Sequence, residues 1–133
     1  MGGHASQSGT LVYRSGAGQQ TELAWVDRAG RTTEIAALQG LYGNVELSPD
    51  NTRVAFDRQS QTGIDVWVMD LQRRIPSKLT LRPPINNVAI WSPDGRTVAF
   101  ASNNRSSGGA QPSGLDIYQR PSNMSAPDEL LSS

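Results

Sequence analysis

Large apolar residues in this chain recur at every second position, in short runs separated by polar turns. Val54 and Phe56 alternate with Arg53, Ala55 and Asp57, and Val98 and Phe100 alternate with Thr97, Ala99 and Ala101. A period of two places such side chains on one face of a half-buried strand. The same pattern predicts strands over 45–47, 64–71, 77–81, 89–91, 115–121 and 128–132. No segment sustains a helical period, and Pro or Gly interrupts every candidate. The chain is therefore predicted to be all-β.

The strands come in repeated units. "LSPDNTRVAF" at 47–56 is nearly rewritten as "WSPDGRTVAF" at 91–100. Each Ser-Pro-Asp segment reads as a tight turn. Proline presets φ, aspartate bonds the backbone ahead of it, and Asn51 or Gly95 accepts a positive φ. A third strand follows a polar gap in each unit ("IDVWVMDL", "LDIYQRP"), and then a fourth ("SKLTL", "DELLS"). A weaker copy stands in front, where "TLVYR", "TELAWVDRAG" and "TEIAAL" take the second, third and fourth places. Leu11 and Tyr13 are expected to face inward, and only "GHA" remains for the first strand.

A repeat of this period signals stacked supersecondary units, as in a solenoid or propeller. The organisation predicted is a leader or weak strand over 1–9, an incomplete blade over 10–38, and further blades over 44–81 and 87–132. Trp25, Trp67, Trp91, Phe56, Phe100 and Tyr118 fall on strands and are expected to fill the spaces between blades.

Composition removes several function classes. Apolar residues make up 36% of the 133, and the 12 basic and 12 acidic residues cancel. That charge balance leaves no electrostatic footprint for nucleic acid or an anionic membrane. No apolar run approaches the ~20 residues needed to cross a bilayer as a helix, so no membrane insertion is expected. With no cysteine, disulfides and thiolate metal sites are excluded.

The candidate chemistry is equally sparse. His4 is the sole histidine, and no serine stands in a Gly-x-Ser-x-Gly turn. A Ser-His-Asp triad therefore has no supply of bases, and no catalytic residue is assigned. Asp50, Asp57, Asp65, Asp70, Asp94 and Asp116 recur near turns without the loop pattern of an EF-hand. They are expected to bond backbone amides, so neither metal nor cofactor is assigned. The Gly- and Ser-rich stretch at 103–114 reads as a polar loop rather than a phosphate cradle.

The motifs "LSPDNTRVAFDRQ…DVWVMDL…SKLTL" and "WSPDGRTVAFASN…LDIYQRP…DELL" resemble the WD40-like (PD40-type) propeller repeats of the TolB class. "SQSGTLVYRSG…ELAWVDRAG" resembles the opening of propellers attached to some bacterial receptor-type serine/threonine kinases. The resemblance covers nearly the whole chain, with Asn51 in place of the turn glycine in the second unit. It implies a β-propeller fragment of three four-stranded antiparallel blades, in a periplasmic or extracytoplasmic setting. It also implies a non-enzymatic interaction scaffold that binds protein or peptide, as part of a sensor or TolB-like component. The alternative is the accessory propeller of a longer hydrolase.

In such a fold the loops between second and third strands share a face with those between blades. Binding residues concentrate on loops held by a rigid scaffold. The candidates on that face are Tyr42, Arg58, Asn87, Asn103 and Arg105. Three blades cannot close a ring, because propellers have ~4–8. The expectation is a homodimer closing a six-bladed ring.

Overall fold

The computed structural model describes residues 3–5, 11–15, 21–34, 40–81, 85–103 and 115–132, with the backbone alone for 3–5, 11–15, 22, 33 and 34. Twelve strands form three four-stranded antiparallel sheets, and no helix occurs among the described residues. The first sheet holds β1 (Gly3–Ala5), β2 (Leu11–Ser15), β3 (Glu22–Val26) and β4 (Thr32–Glu34). The second holds β5 (Leu41–Leu47), β6 (Arg53–Ser60), β7 (Gly63–Asp70) and β8 (Pro76–Lys78). The third holds β9 (Asn86–Trp91), β10 (Thr97–Ser102), β11 (Asp116–Pro121) and β12 (Glu129–Ser132). In each sheet the strands lie side by side in chain order. Where the sequence leaves the opening strand poor or missing, β1 is present. It is three residues long and pairs Gly3 with Tyr13 and Ala5 with Leu11.

The duplicated phrase folds into duplicated wiring. The Ser48 amide donates to the Arg53 carbonyl, and the Arg53 amide returns to Ser48 Oγ, both at 2.9 Å. Ser92 and Thr97 make the same pair of bonds, again at 2.9 Å. Inside the loops the amides of Asn51 and Gly95 reach the carbonyls of Ser48 and Ser92 at 2.8 Å. Asn51 has φ 57° and Gly95 φ 69°, the left-handed conformation for which those residue types are suited.

Two apolar cores lie on opposite faces of the middle sheet, as the strand alternation requires. Leu23 from the first sheet meets Tyr42, Val45, Leu47, Val54, Phe56 and Met69, with Trp25 and Trp67 packed against them. On the other side Ala55, Val66, Val68 and Leu79 meet Ala89, Trp91, Val98, Phe100 and Tyr118 of the third sheet. The aromatic residues assigned to inter-blade packing all take that place. The expected inward direction of Leu11 and Tyr13 lies outside the described side chains.

Neighbouring sheets also meet through their first strands. β5 packs against β1, β2 and β3, and β9 packs against β5, β6 and β7. The successive sheets are therefore face-to-face blades, each with its opening strand beside that of the next.

Candidate functional site

At the loop-bearing end, strand pairing runs further than the sequence pattern indicates. Arg58, Gln59 and Ser60 pair with Asp65, Ile64 and Gly63, so β6 and β7 join through a turn at 61–62. Arg58 is thus a strand residue, half-buried, with its guanidinium carbon 5.5 Å from the Trp67 ring centre. Tyr42, read as a loop residue, stands opposite Arg58 in β5. Its ring is buried edge-on against Phe56 at 5.4 Å, and its amide donates to Thr21 Oγ1 at 2.7 Å. Tyr42 belongs to the core because a bulge between Tyr42 and Val45 shifts the register with β6 by one residue and sets Tyr42 on the same face as Val45 and Leu47.

Asn87 and Asn103 lie at the same end of the third blade. Asn87 pairs with Ala101, and the Asn103 amide closes the end of the sheet on the Ile85 carbonyl at 3.1 Å. The amide oxygens of Asn87 and Asn103 are both buried without a hydrogen-bond partner among the described residues. Arg105 lies outside those residues. The structure therefore sets Tyr42 and Arg58 together in one blade, and Asn87 and Asn103 together in the next.

Asp57 joins these two blades, a role the sequence reading missed. It is buried on the face of β6 that meets the third sheet. Its Oδ2 accepts from Asn44 Nδ2 at 2.6 Å and from the Val88 amide of the next blade at 3.2 Å. Its Oδ1 is buried with no partner among the described residues. Burial dominates and pushes the carboxyl above its usual pKa, opposed by the bonds from Asn44 and Val88. Gly43 makes room, since a Cβ there would lie 3.0 Å from the Asp57 Cβ. Val88 adopts φ 55°, an uncommon conformation for a β-branched residue. The signal in the sequence was a charged residue at 57, in phase with the apolar-facing Ala55.

The other aspartates divide by position. Asp50 accepts from Ser48 Oγ at 2.6 Å and from the Thr52 amide at 3.1 Å. The Ser48 hydroxyl, followed by that amide, lowers its pKa to about 2. Asp94 repeats the arrangement with Ser92 Oγ and the Arg96 amide, at 2.6 and 3.0 Å. Asp70 accepts from the amides of Gln72 and Arg73 at 2.9 and 2.8 Å. Asp65 instead pairs with Lys78 at 2.8 Å and accepts from Thr80 Oγ1 at 2.9 Å.

At the Ser-Pro-Asp end, Arg53 bolts the second blade to the third. Its guanidinium donates to Ser122 Oγ and to the Gly95 carbonyl, both at 2.8 Å, and lies 4.7 Å from the Trp91 ring centre. Trp91 Nε1 donates back across the junction to the Glu46 carbonyl at 3.0 Å. Two open clefts of about 320 and 510 Å³ flank the bolt, and Arg53, Ser122 and Asn123 line both. These clefts lie on the face opposite the one favoured by the loop argument. Arg53 is already occupied by protein partners there.

No protein-family model and no curated protein sequence matches the chain. Solved structures do. A putative TolB from Agrobacterium tumefaciens superposes with a TM-score of 0.80 at 16% identity, over 99% of this chain and 46% of that one. TolB from Acinetobacter baumannii gives 0.77 at 16% identity, over 98% of this chain and 31% of the other. The β-propeller domain of the trilobed protease from Pyrococcus furiosus gives 0.62 at 16% identity, over 93% and 38%. The fold is accordingly that of a TolB-like β-propeller segment, and this chain spans less than half the length of each of these structures.

Proposed function

We propose that this chain is a non-enzymatic β-propeller scaffold that holds a protein or peptide at its loop-bearing end. The observation that supports the reading is the pair of buried amide oxygens on Asn87 and Asn103, which have no partner among the described residues. A buried acceptor left unmatched is costly, and a peptide backbone carries the N–H donors that would match it. Both asparagines sit on or beside paired strands, so the acceptors are held in place before a ligand arrives. By its resemblance to TolB-class and kinase-attached propellers, the scaffold would serve an extracytoplasmic sensor or a TolB-like component. The second reading, an accessory propeller of a hydrolase, is favoured by the likeness to the trilobed protease propeller.

The test is selection of peptides from a displayed random library on the immobilised chain, followed by affinity measurement. Replacing Asn87 and Asn103 together with Ala is expected to weaken selected peptides at least about tenfold, equivalent to about 1.4 kcal/mol. The melting temperature should stay within about two degrees. Peptides that bind the double variant as tightly as the parent would move the site elsewhere. Hydrolysis of ester or peptide reporters that vanishes in one Ser→Ala variant would replace the scaffold reading with an enzymatic one.

A further inference from the structure

The two clefts beside Arg53 take their walls from the second and third blades, both supplied by this chain. Their volumes, about 320 and 510 Å³, fall within the ~300–1,000 Å³ typical of ligand sites. They share Arg53, Ser122 and Asn123, so they adjoin. The smaller adds Asp70, Arg73, Ser77, Ile75 and Met124, with Val68 beneath. The larger adds Asp94, Arg96, Thr97 and Ser125.

Three guanidiniums stand against two carboxylates in this lining, in a chain whose charges otherwise cancel. Both carboxylates already hold donors of their own turns. Asp70 Oδ1 takes the amides of Gln72 and Arg73, and Asp94 Oδ1 takes the Ser92 hydroxyl and the Arg96 amide. Arg73 is exposed and enters no ion pair among the described residues. Arg96 lies 3.9 Å from Asp94 with its side chain 86% exposed, too open for that pair to hold it. Asn123 Oδ1 accepts from the Ser125 amide at 3.0 Å, which leaves Nδ2 to donate. The backbone under these groups is fixed. The Arg74 amide closes one turn on the Asp70 carbonyl, and the Met124 amide closes the other on the Pro121 carbonyl, both at 2.8 Å. Arg74 and Met124 hold φ of 56° and 61°, uncommon for residues other than glycine. Ile75, 64% exposed, forms an apolar step with Met124 and Val68 inside the same groove.

We infer that the two clefts form one docking groove for an acidic peptide segment, with carboxylate side chains toward Arg73 and Arg96 and an aliphatic or aromatic neighbour on Ile75 and Met124. A lining rich in open donors, whose own carboxylates are engaged, favours a negatively charged ligand. The apolar step selects a side chain beside that charge, which a bare inorganic anion lacks. Arg53, pinned by Ser122 and Gly95, supplies a fixed positive charge between the two halves. The groove lies on the face opposite Asn87 and Asn103, so it stands whether or not the loop-bearing end takes a ligand.

The test selects displayed random peptides on the immobilised Asn87→Ala, Asn103→Ala double variant, which alters the loop-bearing end and leaves the groove whole. Recovered sequences are expected to be enriched in Asp or Glu beside Leu, Ile or Phe. Synthesised and measured by fluorescence anisotropy, they should bind the parent and the double variant equally. Arg73→Glu should weaken them at least about tenfold, and Ile75→Ser at least about threefold. Raising salt from about 50 to about 500 mM should weaken them as well, since exposed charges are screened. Arg73 and Ile75 are both exposed, so both variants should keep the parent's circular dichroism and melting temperature. Recovery of no binding peptide, or enrichment of basic sequences, would overturn the inference. So would acidic peptides that bind Arg73→Glu and Ile75→Ser as tightly as the parent.

Discussion

Asp57 shows how one charged residue is accommodated between blades. Its carboxylate has two good donors on one oxygen and none among the described residues on the other. Burial raises its pKa above the ordinary carboxyl value of 3.8. A carboxyl with a raised folded pKa stabilises fully below the unfolded value, and that contribution is lost as pH rises through the folded value. The melting temperature of the parent relative to Asp57→Asn is therefore expected to rise as pH falls from 7 toward 4. Thermal scans of both proteins across that range check it, and a difference that shrinks on acidification would contradict the burial argument. Asp50 has the opposite sign, because its pKa is lowered to about 2 by the Ser48 hydroxyl and the Thr52 amide. Its contribution is present above the unfolded value of 3.8 and fades as pH falls toward 2. Subtracting the Asp57→Asn curve removes that background.

The element that matters most for rigidity is the Ser-Pro-Asp turn together with the strand it launches. The turn is closed by its own serine and aspartate, and in the second blade the strand begins with Arg53. From there the guanidinium reaches the Gly95 carbonyl and Ser122 Oγ, tying one turn to the next blade's turn. Buried Arg120 adds a second tie, donating to the Leu79 carbonyl of the second blade and to the Ala126 carbonyl at 3.0 Å. Arg53→Met keeps much of the side-chain stem but removes two charge-assisted bonds and the contact with Trp91. A loss of about 1.5–3 kcal/mol is expected, read from the midpoint of urea unfolding. A midpoint unchanged within error would show that solvent replaces the bolt without loss. Thr97, at the equivalent position of the third blade, has no guanidinium with which to make such bonds.

At the scale of the molecule, the middle sheet is shared by both cores. Leu23, Trp25 and the first blade lean on one face of it, and Trp91, Phe100 and Tyr118 lean on the other. Damage to either core should therefore be felt by the whole stack. Phe100→Ala is expected to cost about 3–5 kcal/mol and to lower a single unfolding transition. Tryptophan fluorescence and circular dichroism should follow that transition together. Two separated transitions in the variant would show that the blades unfold independently, as loosely coupled repeats can.

The amino-acid sequence by itself determined the strands, the repeat and the turn wiring. Those features are local: a period of two, and a Ser-Pro-Asp loop whose partners lie within five residues. It also determined which aromatic residues fill the spaces between blades, because alternation fixes the face once a strand is assigned. Tertiary structure decided what depends on partners far along the chain. Pairing with β6 extends β5 back to Leu41 and draws Tyr42 into the core, although the run around it reads as a loop. Asp57 becomes a junction residue because the amide of Val88, 31 positions later, reaches its carboxylate. Arg53 becomes a bolt because Ser122, 69 positions away, lies beneath it. Local pattern does not identify such contacts: the phase of Asp57 with Ala55 gives the face it takes but not the amide that meets it, and nothing within a few residues of Arg53 distinguishes a solvated charge from one held between blades.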